Sequence, residues 1–330
     1  MSATRLSPGA ATLARLSRWL LPLFVVAVLV AMLLPGGGDI SKAAAVGSSK
    51  CGTFNLAVNN WVGYEADAYV VGEVAEKKLG CIVNYIYVDE QVSWQGFASG
   101  QVDAILENWG HEDLAQLYIK QQKVALDAGP IGINGVIGWY VPPWMKEKYP
   151  DITNWKKLNS YADLFKTTES GGKGQLLDGD PGFVTNDEAL VKNLHLDFNV
   201  VFAGSEAALI QAFRTAQQQK KPLIGYFYSP QWFLSEVPLV KVDLPKYTAG
   251  CDAVASKVAC DYPTYHLNKV VSTTFAEANG PAYQLVKNWT WSDTAQNLVA
   301  KWITEDGMSP EKAAQKWIDA NPDKVNAWLR

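Results

Sequence analysis

The stretch FNLAVNNWVGYEADAYVVGEVAEKKLGCIVNYIYVDE (residues 54–90), followed by SGQVDAILENW (99–109), decides the fold. FNLAV (54–58) is a short apolar run, and 66–79 carries a helical pattern. CIVNYIYV (81–88) is rich in β-branched and aromatic residues; 93–99 again suits a helix, and DAILEN (103–108) a third strand. This β-α-β-α-β order predicts a parallel sheet with helices on both faces. The theme repeats: strands are predicted at 136–141, within GQLLDGDPG (174–182), at 199–203 and at 222–228. Helices are predicted at 158–165, 188–194 and 205–219. Thr185 and Glu188 have the spacing of a capping box. Residues 274–329 read as almost entirely helical. Two α/β units with a ligand between them is the economical architecture, and ligands of open α/β sheets collect beyond the carboxyl ends of the strands.

Outward from this core, the first 50 residues differ in kind. Arg5, Arg15 and Arg18 precede the uncharged run WLLPLFVVAVLVAMLL (19–34), and Ala43, Ala44 and Ala45 follow. This is the order of an export signal, read either as a cleaved signal peptide or as a retained signal anchor. Both place the rest of the chain on the periplasmic or extracellular side of the membrane. The four cysteines are then expected in disulfides. Cys51 and Cys81 open adjacent predicted strands, and Cys251 and Cys260 bracket a short loop, so Cys51–Cys81 with Cys251–Cys260 is favoured over the other two pairings. Their spacing does not suit a metal. The net charge of −4, with 19% charged residues, offers nothing to neutralise phosphates and argues against nucleic-acid binding.

The chain holds 13 tryptophans, and their positions carry the functional reading. Trp61 follows the first strand and Trp109 the third. Trp139 and Tyr140 end the strand at 136–141, and Tyr228 ends the strand at 222–228. Core packing gives indoles no reason to prefer strand ends. A box of such rings suits a quaternary ammonium ion, which has no N–H to donate and spreads its charge over methyl groups; each desolvated cation–π contact contributes about 2 kcal/mol. A site made of rings alone predicts binding that is insensitive to pH. Trp94, Trp155 and the C-terminal tryptophans lack this placement and read as packing residues. Gly179 and Gly182 allow close backbone approach, and the helix starting near Asn186 offers free N–H groups to a carboxylate. His111, two residues after Trp109, is a further candidate contact.

These residues resemble the glycine betaine/choline substrate-binding proteins of ABC importers. NNWVGYEA (59–66), SGQVDAILENW (99–109), GWYVP (138–142), DPGF (180–183), GSEAALIQAF (204–213) and GYFYSPQW (225–232) carry the resemblance, which spans about 54–330. It implies a two-lobed periplasmic-binding-protein fold of type II character, with the ligand in the inter-lobe cleft. Lobe 1 would be 51–138 and 245–330, and lobe 2 would be 139–244. It further implies a ligand box of Trp61, Tyr64, Trp109, Trp139 or Tyr140, Gly182, Phe183 and Tyr228, no cofactor, and an ABC permease as partner. The family usually has Trp where this chain has Tyr228 and His where it has Gln231.

Other functions find less support. There is no HExxH, GxSxG or Walker loop, and Glu107 and Asp180 have no visible acid–base partner, so an enzyme is not expected. A binding protein or sensor domain of the same fold for an amino acid remains the alternative. Arg214 is the sole arginine between Arg18 and Arg330, which argues against guanidinium recognition of a carboxylate.

Overall fold

A computed structural model describes residues 51–330 of the chain. The signal peptide or anchor expected at 1–50 lies outside the described residues. Two parallel three-stranded units organise the fold. In the first, β1 (Thr53–Val58) lies between β2 (Ile82–Tyr87) and β3 (Ala104–Asn108). In the second, β5 (Gly174–Asp178) lies between β6 (Phe198–Phe202) and β7 (Gly225–Ser229). Both have the strand order 2-1-3 of doubly wound sheets.

The sheet departs from the expected parallel pattern in the middle. β4 (Ala125–Val141) is 17 residues long, not the six of 136–141. It pairs antiparallel with β7, with the two-residue β8 (Val240–Lys241), and with β9 (Thr264–Ser272), which also runs antiparallel to β3. The sheet is therefore mixed and continuous, in the order β2-β1-β3-β9-β4-β7-β5-β6. β9 was not apparent locally because its sequence, TYHLNKVVS, mixes buried apolar residues with the fully buried Lys269. The Lys269 ammonium donates to the backbone carbonyls of Lys287 and Trp289 at 3.1 and 2.8 Å.

Helix α1 (Val62–Val74) starts earlier than its pattern suggested and is buried along almost its whole length. Helices Asp293–Thr304 and Pro310–Ala320 pack over it, so the C-terminal helical segment closes the first unit. Of the C-terminal tryptophans, Trp289, Trp291, Trp317 and Trp328 are core residues and Trp302 is half-buried: Trp317 and Trp328 stack at 5.7 Å, and Trp291 lies 4.4 Å from Trp317. Both favoured disulfides are present, Cys51–Cys81 and Cys251–Cys260. The first ties the start of β1 to the turn that opens β2, whose register pairs Thr53 with Ile82.

Candidate functional site

A cavity of about 950 Å³ opens beyond the carboxyl ends of the parallel strands of both units, the position the switch-point rule assigns to a ligand. Six rings line it. Trp61 comes from the loop after β1, Trp109 from the end of β3, and Phe183 from the turn after β5. Tyr226 and Tyr228 come from one face of β7, two residues apart as the pleat requires, and Tyr265 from β9. Trp109 meets Tyr228 and Tyr265 edge-on, each with ring centroids at 5.7 Å. Phe183 lies 5.9 Å from Trp61, 6.1 Å from Tyr226 and 6.4 Å from Tyr228. No lysine or arginine is among the lining residues.

Of the expected box, Trp61, Trp109, Phe183 and Tyr228 share this cavity, and four residues do not line it. Tyr64 sits inside α1, where its hydroxyl accepts from the Leu106 N–H at 2.9 Å and its ring supports Trp61 edge-on at 5.3 Å. Trp139 is buried one pleat step beyond Ile137, which does line the cavity; its indole donates to Asp187 at 2.8 Å. Tyr140 is on the opposite face of β4, packed against Phe227 at 6.2 Å. Gly182 acts through its missing side chain, because a Cβ there would come within 2.9 Å of the Asp89 carboxylate and 3.1 Å of the Asn60 amide. The strand-end rule found the right strands but not the depth: Trp139 shares the face of Ile137 one repeat further into the interior, and Tyr140 lies on the other face. Tyr226 was legible as the same-face neighbour of Tyr228, whereas nothing local to β9 pointed to Tyr265.

Carboxylates surround the rings. The indole N–H groups of Trp61 and Trp109 both donate to Glu107, at 3.3 and 3.1 Å. Burial pushes Glu107 up to about 7; its bonds from Trp61, Asp67 and Trp109 oppose that, and the charge of Glu90 adds to it. The Tyr228 hydroxyl donates to Glu206, which also accepts from Gln231 at 2.8 Å and from the Val62 N–H at 2.8 Å. Helix α1 has no local side-chain cap, so Glu206, 144 residues away, satisfies one of its free N–H groups. Burial raises Glu206 above the usual carboxylate range despite these donors.

His111 and Glu90 both line the cavity, with Nε2 and Oε1 2.7 Å apart. Burial works to lower the His111 imidazole, but the pull of Glu90 leaves it raised overall. Asp187, which accepts from Trp139 and from the Tyr262 hydroxyl at 2.6 Å, is held well above its usual range by burial and by repulsion from Asp178. The His/Cys/Asp/Glu side chains among the described residues form no group suited to a metal ion.

Paired 2-1-3 units, a cavity at their strand ends and a lining of rings with no fixed basic residue define a small-molecule-binding protein of the α/β type. The chain belongs to the OpuAC family, the substrate-binding domain of ABC-type glycine betaine transport systems, whose pattern matches residues 52–320. It is 28% identical over 287 residues to the trimethylamine N-oxide-binding protein of Pelagibacter ubique (strain HTCC1062), covering 81% of this chain and 87% of that one. It is also 28% identical over 155 residues to the glycine betaine/carnitine transport binding protein GbuC of Listeria monocytogenes serotype 1/2a (strain 10403S), covering 46% of this chain and 47% of that one. The fold matches lactococcal OpuAC in its closed form with glycine betaine, with a TM-score of 0.67 and 22% identity over 84% of this chain and 99% of that one. It matches an ABC-transporter choline-binding protein in complex with choline at a TM-score of 0.69 and 18% identity, over 84% and 92%. These likenesses establish the two-lobed periplasmic-binding-protein fold. Members of the family are extracytoplasmic binding proteins that serve transport. Among the described residues no helix is long and apolar enough to cross a membrane.

Proposed function

We propose that this chain captures a methylated ammonium compound of the choline or betaine class in the ring-lined cavity and presents it to the permease of an ABC importer. The observation that carries this is the convergence of Trp61, Trp109, Phe183, Tyr226, Tyr228 and Tyr265 on one cavity from both strand units. The π faces attract a cation that cannot donate hydrogen bonds, and the lining holds no lysine or arginine to repel it. The names of the relatives agree, since glycine betaine, choline, carnitine and trimethylamine N-oxide all carry a trimethylated nitrogen.

In this reading 51–138 with 245–330 forms one lobe and 139–244 the other. They hinge where the long strands β4 and β9 pass from one parallel unit to the other. The N-terminal segment exports the protein or tethers it to the outer face of the membrane, and the ligand leaves chemically unchanged. Calorimetric titration of a dozen trimethylammonium compounds, with primary-amine analogues as controls, tests the proposal. Micromolar binding confined to the methylated set is expected. Equal binding of the primary amines, or none of either, would overturn it.

A further inference from the structure

Trp61 and Trp109 arrive at the cavity from different strand ends, yet both indole N–H groups end on the two oxygens of one carboxylate, Glu107, which is 1% exposed. Behind it, the Gln296 amide reaches in from helix Asp293–Thr304. It donates to Glu107 at 3.2 Å and to both oxygens of the fully buried Asp67 at 3.1 and 3.2 Å. Neither indole can turn without giving up its bond to Glu107. The shared acceptor therefore fixes the angle between the two rings and places a negative charge at the nitrogen edge of both.

Resting on the reading of the cavity as a quaternary-ammonium cage, we propose that Glu107 is the positioning residue and charge switch of that cage. Ionised, it orients Trp61 and Trp109 and supplies the potential that retains a methylated cation; protonated, it lets the cation go. The groups facing it fit this division. Asp67, on α1, is held well above its usual range by burial and by the charge of Glu107. Glu90, on α2 (Glu90–Ser99), adds repulsion and is itself engaged with His111. Tyr64 and Tyr228 are raised by burial and remain neutral. Burial pushes Glu107 itself up to about 7. A bound cation favours its ionised form, so binding releases a proton. Below the free group's midpoint the affinity for a ligand of fixed charge falls by up to about tenfold per pH unit.

The test is titration calorimetry with choline, whose charge does not change with pH, on the wild type, Glu107→Gln and His111→Gln between about pH 5.5 and pH 8.5. The wild type is expected to weaken at least tenfold across the acidic half. Glu107→Gln is expected to bind less tightly at high pH and to lose that slope. His111→Gln, which removes the imidazole paired with Glu90 at the cavity wall, should keep it. A flat wild-type profile with choline still bound, or a slope that survives in Glu107→Gln, overturns the switch and leaves the cage standing. No binding of choline at any pH overturns both. Should Glu107→Gln not fold, choline binding to the wild type and His111→Gln at about pH 7 in buffers of different ionisation enthalpy gives the proton count directly. Net release is expected, and zero release in both proteins refutes the proposal.

Discussion

Replacing Trp109 by alanine tests the cage most sharply, because this ring touches most of the proposed apparatus. It is 8% exposed, contacts Tyr228 and Tyr265 edge-on, and supplies one of the two indole donors to Glu107. Losing one desolvated π face costs about 2 kcal/mol of ligand attraction. At about 1.4 kcal/mol per decade this is a roughly thirtyfold rise in Kd. Leaving Glu107 short of a donor adds about 1–3 kcal/mol, shared between binding and stability. Kd for choline, measured calorimetrically at about pH 8, is therefore expected to rise at least thirtyfold. Trp109→Phe, which keeps a weaker ring and loses the N–H, should fall between the two. Melting curves of the ligand-free proteins separate the stability part. A Trp109→Ala protein that folds and binds choline within threefold of wild type would falsify the cage, since this ring packs on both Tyr228 of β7 and Tyr265 of β9.

A Cβ at Gly135 would overlap the six-membered ring of Trp109; Gly135→Ala is thus expected to weaken choline binding about tenfold while every cage residue remains, and an unchanged Kd would show that the ring's position is not critical. Because burial raises Glu107 to about 7, above its unfolded range, its contribution to stability is complete below the unfolded value and is lost as pH rises through about 7. The ligand-free melting temperature is accordingly expected to decline from about pH 5 to pH 8 while the increment given by saturating choline grows; an increment constant with pH contradicts this. Glu206→Gln keeps the shape but removes the charge that caps α1 and accepts from Tyr228, so weaker choline binding with slower association is expected in stopped-flow fluorescence, and unaltered kinetics would confine Glu206 to a structural role. Replacing Cys251 and Cys260 by serine frees the loop that carries the cavity residues Tyr247, Gly250, Asp252 and Ala253; choline affinity is expected to fall more than global stability, and the opposite order counts against that loop as a wall of the site.

Much of this was written locally. The strand–helix rhythm of 54–108, the rings at the ends of β1, β3 and β7, and the cysteines that open β1 and precede β2 all depend on neighbours a few residues away. Backbone hydrogen bonding, the pleat and chain reversal act over that range. The sequence alone thus determined the fold class, the strand ends that bear the site and the favoured disulfide pairing.

Tertiary structure decided the rest. It inserted β9 between β3 and β4, turned Trp139 and Tyr140 into interior residues while bringing Ile137 to the cavity, and added Tyr265 from more than 150 residues beyond Trp109. It also surrounded the rings with buried carboxylates. The acids that hold those rings are drawn from α1, β3 and the start of helix Glu206–Gln219, as much as 144 residues from the atoms they bond. Whether a carboxylate is exposed and ordinary, or buried, raised and tied to two indoles, depends on which distant surfaces exclude water from it, and no local pattern encodes that.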